Sequence, residues 1–131
     1  MKLEKLTGFV RLYQAESFPQ DFSDMFGKDR GEMKRYRRWL NRALWELDER
    51  GEKAILLSSF EKLKSEDAPQ LYAIRHAHSL INERYLYMIT KNKSVILLTA
   101  FKEKSASDYA IAIARARSLY HKLDVDDERN D

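Results

Sequence analysis

Two arginines each interrupt a stretch that otherwise reads as an apolar strand, Arg75 closing LYAIR and Arg84 near the head of ERYLYMIT. Strand periodicity puts Arg75 on one face with Leu71 and Ala73, and Arg84 beside Leu86 and Met88. A guanidinium stays charged and grips phosphate through two parallel hydrogen bonds, so the pair is a candidate anion clamp. The plainer alternative is a pair of edge charges bonded to Glu83 or another acid. Lys102 and Lys104 flank Glu103 where the run VILLTAF gives way to KEKS, and on an extended backbone they share a side. Behind them a helix opens, with Ser105 and Asp108 spaced as a capping box and free N–H groups at a positive dipole end. Together these make a phosphate cradle; against it stands the simpler role of solvated gatekeepers after a strand. His76 and His78, two apart, carry the side chain most often used for proton transfer and are the candidates for general acid and base. A surface or partly buried pair is the other reading, and as a metal site they lack a third ligand.

Positioning such residues takes a sheet and helices. Residues 8–13 suit a first strand, and the segment 19–26 opens with Pro in a position that a first helical turn tolerates. Residues 32–50 carry Met33, Tyr36, Leu40, Ala43, Leu44 and Leu47 at helical spacing, with Gly51 as the stop. Trp45 lies nearly opposite that stripe, among charges. Such a Trp is more often covered by its own domain than by a partner, and it is the candidate partner contact here. Residues 52–70 read as a loop with short pieces of structure. Strands follow at 71–76, 83–90 and 94–101, the last two joined by the short KNK turn and therefore antiparallel. The last is apolar on both faces, which argues for a central, doubly covered place. A helix over 107–123 ends the fold, with His121 compensating its dipole. The expectation is a single α+β domain, residues 1–123, in the order β-α-α-β-β-β-α, with a frayed acidic tail at 124–131.

Charge narrows the partners. The last eight residues hold five acids and one arginine, so residues 1–123 carry +7 against +3 for the whole chain. A basic body points to phosphate-bearing or acidic partners, or serves solubility alone. The chain has no cysteine, which excludes disulfides and thiolate metal sites and suits a reducing compartment. Charges break the apolar residues of MKLEKLTGFV, so no signal peptide is read, and no apolar run approaches a membrane span. A cytoplasmic protein without a membrane partner is the expectation.

The block from LYAIR through RYLYMI and VILLTAFKEKS to AIAIARAR resembles the RelE superfamily of bacterial toxins, in its HigB-like, phage Gp49-like branch. The matching positions are Leu71, Tyr72 and Arg75, then Arg84 and Tyr87, then Leu97, Leu98, Phe101, Lys102, Lys104 and Ser105. LNRALWELDERG is similar to that family's second helix and its Gly stop, so the resemblance spans residues 40–123. Where the family often continues with a "qKTP"-like stretch, this chain has Ala106-Ser107-Asp108-Tyr109.

The resemblance implies a RelE-like fold and the toxin of a type II toxin–antitoxin pair. Such a toxin cleaves messenger RNA, on the ribosome, and is neutralised by an antitoxin, commonly a helix-turn-helix DNA-binding protein. In that chemistry the RNA's own 2′-OH attacks, so no metal or cofactor is needed; Arg75, Arg84, Lys102 and Lys104 would hold the phosphate charge. Lys62 and Lys64 would clamp RNA further out, unless they are a plain solvated loop. His76 and His78 would supply acid and base. Tyr85, Tyr87 and Tyr109 would stack on bases or assist proton transfer, unless they are core aromatics. Two alternatives keep the fold: a non-nucleolytic, ParE-like toxin that binds a protein, and a degenerate phage-derived domain that binds RNA or a partner.

Overall fold

Six segments pair into one mixed sheet, and three α-helices cover it. The computed structural model describes the backbone of residues 2–130 and the side chains of residues 2–123. The strands are β1 (Leu3–Lys5), β2 (Leu12–Ala15), β3 (Phe60–Lys62), β4 (Leu71–Arg75), β5 (Glu83–Ile89) and β6 (Val95–Lys102), in the spatial order β1-β2-β6-β5-β4-β3. Only β2 and β6 run parallel; every other neighbouring pair is antiparallel. The helices are α1 (Phe18–Asp24), α2 (Arg30–Arg50) and α3 (Ala106–Asn130), with a 3-10 turn at Gly51–Leu56.

The α+β class holds, and the element order is richer than β-α-α-β-β-β-α. The strand expected at 8–13 begins at Leu12 and is the second one, because Gly8 turns the chain at φ +92° and residues 3–15 form a hairpin with β1. β1 is exposed throughout, so no apolar alternation announces it. β3 lies inside the segment read as loop; three residues on a sheet edge are too few for a period-2 pattern to show. α3 runs on to Asn130, past the expected end at 123. Side chains of the acidic segment 124–130, and residue 131, lie outside those described.

Both faces of the sheet are buried, which is why β5 and β6 are nearly continuous apolar runs. One face carries Leu12, Tyr85, Tyr87, Ile89, Val95 and Leu97 against Phe18, Phe22, Leu40, Leu44 and Leu47 of α1 and α2. The other carries Leu71, Ala73, Leu86, Met88, Ile96 and Leu98 against Ala112, Ala116, Leu119 and Leu123 of α3. As expected, β6 is internal, between β2 and β5. A bulge interrupts it: Leu86 pairs with Thr99 but Tyr87 with Leu97, so β6 has one extra residue. Beyond the bulge the alternation is reset, with Ala100 in the α1/α2 layer and Phe101 in the α3 layer.

Candidate active site

At one end of the sheet β4 ends, β5 begins and β6 ends, and the register there sorts the charged residues into two rows. Arg75, Arg84 and Phe101 lie abreast and face α3; Glu83 and Lys102 lie abreast and face α2. His76, one residue past β4, meets Glu83 on the α2 side. The expectation that Arg75 and Arg84 share a face with Leu71, Ala73, Leu86 and Met88 is therefore met. Lys102 is not with them. Unbroken alternation from Leu98 would have put it on their face, and the bulge turns it to the other.

The α2 side holds a tightly built dyad. Glu83 is 1% exposed; its Oε2 lies 2.7 Å from His76 Nδ1 and accepts a hydrogen bond from the Tyr85 hydroxyl at 3.0 Å. Burial first, then the charge and hydrogen bond of Glu83, push the Tyr85 hydroxyl far above its ordinary range, so it remains a donor. The other carboxylate oxygen, Oε1, is buried without a partner. His76 stacks flat on Trp39 of α2 (centroids 3.8 Å apart, 11° between planes), and Tyr36 meets it edge-on at 5.8 Å. Stacking and the carboxylate together fix the ring. With Nδ1 engaged by Glu83, Nε2 is left for chemistry. The imidazole, one-fifth exposed, borders an open cleft of about 260 Å³ that Arg75, His78, Ser58, Asn82 and Glu83 also line. The loop that closes the cleft holds His78 at φ +62° and Asn82 at φ +49°, a conformation that non-glycine residues adopt rarely and that clusters at functional sites.

The α3 side is different, and Arg84 does not stand there as a free phosphate ligand. Its guanidinium makes a close ionic contact with Glu103 at 2.6 Å, too bent for a hydrogen bond, and a looser one with Glu61 at 3.6 Å. It lies 5.0 Å from the centre of the Tyr109 ring, which burial and the neighbouring carboxylate Glu61 push above its usual range. The edge-charge alternative thus describes Arg84, with Glu61 and Glu103 as the acids. Arg75 is exposed and has no ion pair among the described residues.

The other sequence candidates divide in the same way. β6 ends at Lys102, so the extended backbone that would align Lys102 with Lys104 stops short of Lys104. The capping box exists as read: Asp108 accepts from the N–H groups of Lys104 (2.9 Å) and Ser105 (3.1 Å), and Ser105 Oγ meets the Asp108 N–H at 3.4 Å. A carboxylate therefore already occupies the anion position at the start of α3, and the phosphate cradle expected there is corrected. Lys62 is paired opposite Tyr72, 5.8 Å from its ring. It lies four residues along β4 from His76, about 13 Å at strand rise. Lys64 is exposed in the loop beyond. Tyr87 is fully buried and stacked on Tyr72 at 5.2 Å, so it is a core aromatic and not a platform for bases. Tyr109 serves Arg84 and Phe101. His121, read as a dipole partner, also lies 3.4 Å from Asp67. Trp45 is 61% exposed, with the tilted ring of Phe9 as its aromatic neighbour among the described residues, at 5.4 Å.

Two members of the site were missed. Glu83 appeared only as a possible partner for an arginine, yet period 2 along ERYLYMI puts it on the buried face with Tyr85 and Tyr87, a buried acid in need of a partner. Trp39 stands three residues from Tyr36 at the border of the α2 stripe, a helical spacing that puts the two side chains on one side of the helix. Among the described residues no group of acids and histidines is arranged to hold a metal, and no helix is long and apolar enough to cross a membrane. The chain matches no protein-family model, no curated protein and no solved structure.

Proposed function

We propose that the open end of the sheet is an RNA-cleaving centre that works without a metal, and that the chain is a RelE-like, HigB-like toxin acting on cytoplasmic messenger RNA. The observation that carries the reading is the buried Glu83 bonded to His76 beside a cleft that also holds Arg75 and His78. In this reading Nε2 of His76 takes the proton from a ribose 2′-OH. The 2′-oxygen attacks the adjacent phosphorus in line, and the bond to the 5′-oxygen breaks, leaving a 2′,3′-cyclic phosphate and a 5′-OH. Glu83 stabilises the imidazolium that forms. Arg75, with Lys102 on the α2 side, balances the charge on the phosphoryl oxygens, and His78 protonates the leaving oxygen. A small helix-turn-helix antitoxin would neutralise the protein, and the ribosome would present the message.

Induced expression tests this. Growth arrest with truncated messages is expected from the natural chain, and neither from His76→Ala. Intact messages with growth arrest would contradict the reading.

One observation favours a second reading, a domain that binds RNA or a protein partner without cutting. Arg84, the arginine most expected to serve phosphate, is engaged by Glu61 and Glu103. Gyrase-linked DNA damage would then mark a ParE-like protein binder, and the absence of any growth defect a degenerate phage-derived one.

A further inference from the structure

A second pocket lies on the opposite side of α2. Residues 37, 41 and 45 lie on roughly the opposite face of the helix from Trp39 at 100° per residue. The cavity, about 310 Å³, is walled by Phe9 and Trp45, floored by Leu97, and edged by the polar side chains of Arg37, Asn41 and Gln14. It is a built feature. Asp48 of α2 accepts from the N–H groups of Val10 (3.0 Å) and Arg11 (2.8 Å), and Lys5 Nζ donates to the Phe9 and Val10 carbonyls at 2.8 and 2.7 Å. These bonds fix the β1–β2 connection and hold Phe9 5.4 Å from Trp45.

Arg37 is the unusual member. Its guanidinium lies 4.2 Å from the centre of the Phe22 ring, and no carboxylate pairs with it among the described residues. Desolvation by burial pulls its pKa down, opposed in part by Tyr85. Among the described residues no acid lines the pocket. A half-buried guanidinium normally has an anion against it, and Arg37 is among the residues that line the cavity. The two carboxamides each offer a donor and an acceptor, which match the edge of a heterocycle and would go unpaired against a plain aryl group. The exposed face of Trp45 suits stacking on a base.

We propose that this pocket binds a nucleoside monophosphate unit, its phosphate on Arg37, its base on Trp45 and the base edge read by Asn41 and Gln14. The volume, at the small end for ligand sites, accommodates one nucleotide. The unit is either a free mononucleotide or the phosphorylated end of an oligonucleotide. The site stands apart from the His76 cleft and does not depend on what that cleft does.

The test is titration of the full chain with the four ribonucleoside 5′-monophosphates, their nucleosides, and 5′-phosphorylated tetranucleotides, followed by calorimetry. At least one monophosphate is expected to bind saturably, with its nucleoside weaker by about tenfold or more, as befits a lost charge-assisted contact. Arg37→Gln should bring the monophosphate down to the nucleoside's level and leave the nucleoside unchanged. Trp45→Ala should weaken both, and His76→Ala neither. Tetranucleotides binding as well as mononucleotides identify an oligonucleotide end as the source; mononucleotides alone identify the free nucleotide. Circular dichroism checks that Arg37→Gln folds. Should it not, Asn41→Ala, at an exposed position, is expected to weaken the monophosphate severalfold in a folded protein. No saturable binding by any monophosphate, binding that survives the Arg37 or Asn41 change, or binding lost on changing His76 would each overturn the proposal.

Discussion

At the scale of residues, the division of labour between neighbouring side chains decides what each substitution does. Glu83→Gln preserves shape but removes the charge that would stabilise a His76 imidazolium; message cleavage should fall by about a hundredfold or more while the chain stays folded, read by primer extension beside a thermal melt. Arg75→Ala touches an exposed side chain without an ion pair and should cost activity, not stability. Arg84→Ala should do the reverse. It leaves Glu61 and Glu103 facing each other without their cation, lowering stability by about 2 kcal/mol in a denaturant titration, with cleavage kept within severalfold. In the sequence, a phosphate role for Arg84 and an edge charge are equally open, and the resemblance favours the first. What the sequence lacked was the partner: Glu61 comes from a three-residue edge strand and Glu103 from beyond the end of β6, and neither placement shows in local spacing.

At the scale of elements, the legible parts were those with long periodic patterns. α2, β4, β5, β6 and α3 could be read because each buries a continuous stripe or run. Three things could not. β1 has no buried face, β3 is a three-residue edge, and the bulge in β6 inserts one residue without any marker in VILLTAFK. That bulge alone moves Lys102 from the Arg84 face to the Glu83 face, so a one-residue irregularity rearranges the candidate site. The caps are the local features that sequence identified well. Asp108→Ala removes the acceptor for two backbone N–H groups at the start of α3 and should destabilise the fold by about 1 kcal/mol. Gly51 ends α2 at φ +58°, where a Cβ would come within 2.5 Å of the Arg11 guanidinium. Gly51→Ala should therefore cost at least about 1 kcal/mol, most of it from the left-handed backbone, since the Arg11 tip can move. Thermal melts of the two variants check both.

At the scale of the molecule, two helical layers clasp one sheet, and a loop contact ties the α3 layer to the β3–β4 connection. There Asp67 pairs with Arg117, accepts from Ser65 and lies near His121, and the Arg117 hydrogen bond, followed by that from Ser65, holds its carboxyl well below the usual carboxylate range. A folded-state pKa depressed below the unfolded one gives a contribution present above the unfolded value and lost as pH falls through the folded one. The 63–70 connection should therefore loosen only in acid. Hydrogen exchange of the Ala68 and Leu71 amides should accelerate there, and Asp67→Asn should show the faster exchange already at neutral pH. The proposed chemistry reaches further: the end of the sheet that carries His76 and Glu83 would cut RNA by attack of the RNA's own 2′-OH. The most direct measurement is the chemistry of the ends left on cellular messages after brief induction. New fragments ending in 2′,3′-cyclic phosphate, with 5′-OH on the other side of each cut, are expected from the natural chain, and none when His76 is alanine. Intact messages, or cuts bearing 5′-phosphate, would contradict the proposed chemistry.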